Sequence, residues 1–207
     1  MNKVLIVDHP IILDKISRLR DRRTPVKEFR NLAGEISMLM VYEALKDVKL
    51  KNTSVNTPLA RAKGKMVAQN IVFVTILRAG LGMLDGALMI YPDAQISHIG
   101  IYRNEETLSP VRYYFKMPRG SKNSLVVLLD PMLATGGSAV EAVNMLKSKG
   151  ARNIVFLCLI SAKAGLDYFL SKHPDVKVIT AAVDSKLNNR GYIVPGLGDA
   201  GDRMFGT

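Results

Sequence analysis

With one cysteine in 207 residues, Cys158, the chain cannot close an internal disulfide, so its stability must come from a packed core. That thiol lies inside the longest uninterrupted apolar run, residues 154–160, where a cysteine serves as a small buried hydrophobe. The run is far too short to span a bilayer, and no membrane-crossing segment is expected. The first apolar stretch, residues 4–7, is broken at once by Asp8, His9 and Pro10. That pattern carries no secretory signal and assigns the chain to the cytoplasm. Linkers, internal repeats and low-complexity tracts are missing as well, so residues 1–207 are read as one domain. A Walker A frame is absent, and the three histidines, His9, His98 and His173, lack metal-ligand spacing. Two of them precede proline, and all three are read as structural.

What is present describes an ordinary core. The chain is long enough to bury about 70% of its unfolded surface, and 48% apolar with 23% charged residues excludes disorder. Lys and Arg number 29 against 18 Asp and Glu, a formal charge of +11 that favours a polyanionic partner. Nucleic acid and a phosphorylated metabolite both qualify. Arg18, Arg20, Arg22, Arg23, Lys27 and Arg30 cluster in the first third, as an RNA face or as a solvated helix surface, and the second is the commoner case.

Residues 10–48 read as two helices broken near Thr24 and Pro25, with Ile12, Ile16 and Leu19, then Leu32, Ile36, Leu39 and Met40, at helical spacing. From residue 71 the pattern changes to short apolar runs at 71–77, 96–102, 125–129, 154–160 and 176–183, with helix candidates at 81–90, 138–149 and 165–171 between them. That alternation predicts an α/β fold, a mainly parallel sheet flanked by helices on both faces. Residues 187–207 hold five of the 16 glycines without periodicity and are read as a structured functional loop.

In open α/β sheets ligands gather at the carboxyl ends of the strands. The apolar run 125–129 is followed by Asp130, Pro131, Met132, Leu133, Ala134, Thr135, Gly136, Gly137 and Ser138, and then by a helix. Two glycines admit close backbone approach, and free N–H groups at the helix start, with the Thr135 and Ser138 hydroxyls, make a phosphate cradle. Asp130 at the strand tip can accept hydrogen bonds from sugar hydroxyls. The same spacing also fits a plain N-capped helix, with Thr135 or Ser138 only capping. Gly80, Gly82 and Gly86 follow another strand and could meet a pyrophosphate through backbone amides. Gly196, Gly198 and Gly201 satisfy G-x-G-x-x-G, but the chain ends too soon for a dinucleotide fold and the match is accidental. Residues 103–116, polar and then aromatic, read as a hairpin or surface excursion.

The stretch from Asp130 to Ser138 resembles the ribose-5-phosphate loop of type I phosphoribosyltransferases, in the DPMLATGGS form of their uracil-using branch. The resemblance extends through ILRAG (76–80), HIGIYR (98–103), EETL (105–108) and the sixteen residues GYIVPGLGDAGDRMFG (191–206). It implies transfer of ribose 5-phosphate from 5-phosphoribosyl 1-diphosphate (PRPP) to uracil, giving UMP and diphosphate, a step of pyrimidine salvage. Arg78 and Arg103 would neutralise the diphosphate, Asp130 and residues 131–138 would hold the ribose phosphate, and residues 103–116 would form a lid. Main-chain groups at Ile193, Gly198, Asp199 and Ala200, within a hood at 187–207, would hold uracil, with the Asp199 carboxylate on the side of PRPP and its Mg2+. The cation is expected to be bound mainly through PRPP. The family also implies a homodimer or homotetramer and leaves a GTP effector open. Neither a membrane nor nucleic acid is an expected partner.

Three positions depart from the family pattern. Thr75 stands where proline is common, Arg112 where a neutral or acidic residue is usual, and Ser161, Ala162, Lys163, Ala164 and Gly165 replace AAPEG, with Lys163 expected to face the site. Two other classes remain in view: an RNA-binding pyrimidine regulator of the same fold, served by the basic first third, and a nicotinamide-dependent oxidoreductase resting only on Gly80, Gly82 and Gly86.

Overall fold

The computed structural model describes residues 3–103 and 110–207. A short strand β1 (Val4–Ile6) precedes helices α1 (Pro10–Arg20) and α2 (Val26–Ala44), and strands β2 (Leu50–Asn56) and β3 (Arg61–Val67) follow. The alternating part then runs β4 (Ile71–Leu77), α3 (Leu81–Ile90), β5 (Gln95–Arg103), β6 (Pro110–Phe115), β7 (Leu125–Leu129), β8 (Met132–Leu133), α4 (Gly137–Ser148), β9 (Asn153–Ala162), α5 (Lys163–Lys172) and β10 (Lys177–Asp184). It ends in β11 (Lys186–Leu187), β12 (Ile193–Val194) and α6 (Ala200–Phe205). The main sheet has the order β1-β10-β9-β7-β4-β5-β6, with β8 beside β9. Every pairing in it is parallel except β5 with β6, so the expected sheet is present.

The five apolar runs are its strands, with bounds shifted by a residue or two. β7 is buried at every position and β4 at all but its last, because helices cover both faces. Phe73, Val127 and Leu157 face α1, α2 and α3 together with Phe29, Ile36 and Met83. Val74, Leu128 and Phe156 face α4 and α5 together with Val143, Leu146 and Phe169. Cys158 is fully buried in this second layer, and burial pushes its thiol up to about 12. It is the inert core residue expected.

Helix α3 lies close against α2 because Gly86 has no side chain: a Cβ there would sit 1.9 Å from the Gly34 carbonyl oxygen. Gly86→Ala must push two core helices apart, and should lower stability by about 2 kcal/mol or more. A denaturant midpoint unchanged from wild type would contradict that packing.

Three features depart from the expectations. A strand, β1, precedes the helices. β2 and β3 form a separate antiparallel hairpin in a stretch the periodicity left unassigned. The C-terminal loop contains the β11–β12 pair and α6 rather than loop alone. Residues 103–116 are a hairpin in part, since Arg103 pairs with Pro110 and Tyr102 with Val111. Residues 104–109, six of the fourteen residues of the expected lid, lie outside the described residues. Among the described residues no helix is long and apolar enough to cross a membrane.

Candidate active site

The turn after β7 is fixed from below. The Pro131 carbonyl accepts the N–H groups of Leu159 at 3.0 Å and Ile160 at 3.1 Å, tying the turn to β9. Gly136 then takes φ +86°, a conformation that favours glycine, and α4 starts at Gly137. The first N–H groups of an α-helix have no partner inside the helix, and they carry the positive end of its dipole. A cavity of about 170 Å³ is walled by Asp130, residues 132–139 and Gly191. A Cβ on Gly137 would meet only Thr135 Oγ1, at 3.9 Å, so the space above Gly137 is open. Gly165, at the start of α5, lets that helix abut the turn: a Cβ there would lie 2.1 Å from the Ala134 carbonyl.

A second cavity, of about 370 Å³, shares Asp130, Met132, Ala134 and Gly191 with the first. Its other walls are Ala79, Arg190, Tyr192 and residues 198–201. The phosphate-type turn and the glycine-rich C-terminal loop, about 60 residues apart in sequence, thus meet around one carboxyl group. Burial pushes Asp130 up to about 7, partly offset by the N–H of Met132. Asp199 caps α6, its Oδ1 accepting the Asp202 N–H at 3.0 Å, and it also walls the larger cavity. Asp199 thus has the turn role that the sequence also allowed, and the residue stands in the wall of the larger cavity.

Not every expected residue reaches these cavities. Pro131 is buried and spends its carbonyl on β9. Ile193 is buried behind the loop, paired with Leu187. Arg78 follows β4, but its guanidinium lies 3.7 Å from Asp202 and over the Phe205 ring, beside the cavity wall rather than in it. Arg103 ends β5, and its side chain lies outside the described residues. Conversely, Arg190 was missed. Its only signal was a lone cation beside a glycine in an aperiodic stretch.

The competing constellations dissolve. A Cβ on Gly80 would meet the Leu129 carbonyl at 2.5 Å and one on Gly82 would meet Met204 Sδ at 1.7 Å, so these glycines, like Gly86, allow close packing rather than ligand approach. Of the basic cluster, Arg18 pairs with Glu28, Arg20 with Asp184 and Arg23 with Asp21, which removes half of the proposed RNA face. The histidines make local contacts: His9 accepts the Ile11 N–H, His98 meets Thr75 Oγ1 at 2.7 Å, and His173 meets the Val140 carbonyl at 3.1 Å. Thr75 is therefore a buried hydroxyl with a partner. Arg112 pairs with Glu141 of α4, and Lys163 with Asp167 of its own helix at 3.3 Å, exposed and outside both cavity walls.

The chain matches the family described as uracil phosphoribosyltransferase over residues 6–207. It is 53% identical over 205 residues to a uracil phosphoribosyltransferase of Dictyoglomus thermophilum, covering 99% of both chains. It is 51% identical over 208 residues to one of Clostridium botulinum, covering 100% of both. A solved protein of Aquifex aeolicus superposes with a TM-score of 0.93 at 39% identity, over 98% of this chain and 97% of that one. Likeness of this extent takes in both cavity walls and the helices behind them, and by it the chain belongs to the uracil phosphoribosyltransferase family.

Proposed function

We propose that the chain transfers the phosphoribosyl group of PRPP to uracil, forming UMP and releasing diphosphate. The observation that carries this is the junction at Asp130 of a helix-start anion cavity with a second cavity walled by glycine-rich main chain. The smaller cavity takes the 5-phosphate on the N–H groups of residues 135–138, Asp130 accepts the ribose hydroxyls, and the larger cavity takes the base. Main-chain N–H and C=O groups at 198–200 complement the edge of uracil, with Ile193 as support behind them. Arg78, turned from Asp202 toward the ligand, and Arg103 at the end of β5 neutralise the departing diphosphate.

Among the described residues no cluster of three metal-ligating side chains exists. Two hard carboxylates, Asp130 and Asp199, nevertheless wall one cavity, a donor set that suits a Mg2+ held mainly by PRPP with Asp199 on its side. When bound, the ion supplies positive charge to the diphosphate oxygens. The protein's own part is positional: it fixes the ribose against the base so that the anomeric carbon faces the ring nitrogen, and it needs no covalent nucleophile. Homo-oligomerisation and a GTP effector belong to the same proposal, as does a cytoplasmic location. The assay is UMP formation from uracil and PRPP with Mg2+, with and without GTP. No uracil-dependent release of diphosphate would overturn the assignment.

Asp199→Asn separates the two roles of that residue. Asparagine keeps an oxygen to cap α6, so folding should be unaffected. Loss of the charge should lower turnover about tenfold or more. Because the base is read by main chain, cytosine should still be refused. Cytosine accepted with an efficiency near that of uracil would make the side chain the reader.

A further inference from the structure

The loop that walls the base cavity has little of its own to hold it in place, since Pro195, Gly196, Leu197 and Gly198 carry no polar side chain. It is held from outside. Arg20, the last residue of α1, forks onto Asp184 at the end of β10, Nη1 to Oδ2 at 2.7 Å and Nη2 to Oδ1 at 2.8 Å. The same Nη1 donates to the Gly196 carbonyl at 2.8 Å, and Asp184 Oδ2 accepts the Gly196 N–H at 2.9 Å. One residue, Gly196, is thus gripped at both its backbone donor and its backbone acceptor, which fixes the two successive peptide units that meet there. A residue further on, Arg203 of α6 donates to the Leu197 carbonyl at 2.9 Å and to the Leu19 carbonyl at 2.8 Å. Its Nη2 reaches the Asp21 carbonyl at 2.5 Å, and the guanidinium lies over the Phe29 ring at 4.4 Å.

Asp184 sits at the end of β10, in register with Ala162 of β9, so the loop is anchored to the sheet. The Asp184 side chain is 9% exposed and that of Arg20 22%. A pair so buried adds little stability over an apolar pair of the same shape, and what it can contribute is a unique geometry. Arginine suits this because its planar fork serves three acceptor atoms at once, which a lysine ammonium cannot do with the same directionality.

We infer that Arg20 and Asp184 are positioning residues that set the discrimination of uracil from cytosine, by fixing the main chain at Gly196 and hence the donors and acceptors of residues 198–200. Neither side chain lines either cavity. Hydrogen-bond discrimination between two pyrimidines depends on groups that cannot swivel to meet the wrong edge. A loosened loop pays less for cytosine and binds uracil less well. The inference rests on the reading of this loop as the uracil wall.

The test compares wild type with Arg20→Lys and Asp184→Asn. Measured are the KM for uracil, inhibition by cytosine, the affinity for PRPP by calorimetry, and amide hydrogen exchange across residues 196–201. The expected result is a uracil KM raised about tenfold, cytosine inhibition strengthened relative to uracil binding, PRPP affinity within about twofold of wild type, and faster exchange in the loop. A folded variant with wild-type uracil KM and cytosine inhibition overturns the inference, even if its melting temperature is lower. If Arg20→Lys does not fold, Asp184→Asn, which keeps an acceptor for the Gly196 N–H, decides alone. A wild-type protein with no uracil turnover contradicts the proposed function instead, and loop exchange unchanged by both variants contradicts the clamp by itself.

Discussion

Asp130→Asn should lower uracil-dependent turnover by about a thousandfold and at the same time make the free protein more stable at pH 8. The two effects have one cause. The carboxyl group stands where two cavities join, and burial holds its pKa at about 7 against an ordinary 3.8. Between pH 4 and 7 the folded chain keeps a proton there that the unfolded chain has lost, so stability falls as pH rises through this window. Asparagine removes the ionisation, and with it that loss, on the order of 4 kcal/mol at pH 8, while near pH 4 the two proteins should be alike. In the proposed reaction it also removes the charged acceptor for the ribose hydroxyls. In the wild type, PRPP affinity should therefore rise from pH 6 to pH 8 as the carboxylate forms. Thermal melts at pH 4 and 8 with calorimetric PRPP titrations check both arms. A variant less stable than wild type at pH 8, with wild-type turnover, would mean that Asp130 is a structural residue.

The second large effect is at the proposed phosphate cradle. Gly137→Val should abolish PRPP binding with only a few tenths of a kcal/mol lost in folding. A side chain there would enter the open space above the turn, where the nearest atom a Cβ meets is Thr135 Oγ1 at 3.9 Å. Gly136 is different in kind. Its φ is +86°, and a Cβ would come within 3.0 Å of the Gly165 carbonyl and the Tyr168 ring. Gly136→Val should thus damage folding first. Calorimetry and melting on the two variants separate the roles, and unchanged PRPP affinity in folded Gly137→Val would remove the phosphate from this cavity.

That adjacent glycines differ so sharply illustrates what the sequence made legible and what it did not. The apolar runs of β4, β7 and β9 are buried on both faces, so each announces itself without its neighbours, and the acidic turn and helix after β7 follow directly. The β2–β3 hairpin was invisible for the opposite reason: it buries almost nothing, and Lys51, Lys63 and Lys65 give it the look of a polar loop. At the site, residues contiguous with a strand end were found, whereas contacts made by folding were not. Arg20 meets Asp184 and Gly196 across separations of 164 and 176 residues, and nothing in the local sequence distinguishes that arginine from Arg18 or Arg23. Motif membership also overstated the wall. Pro131 and Ile193 belong to the recognised stretches, yet the first spends its carbonyl on β9 and the second lies buried behind the loop.

The central claim is that one carboxyl group joins a phosphate cavity to a base cavity. It is tested most directly by a crystal structure of the protein with UMP. The account predicts the phosphate within hydrogen-bond distance of the main-chain N–H groups of residues 135–138, the ribose hydroxyls on Asp130, and the uracil edge on main chain at 198–200. A nucleotide bound elsewhere, or one with its base in the cavity above Gly137 and its phosphate against the C-terminal loop, would contradict it.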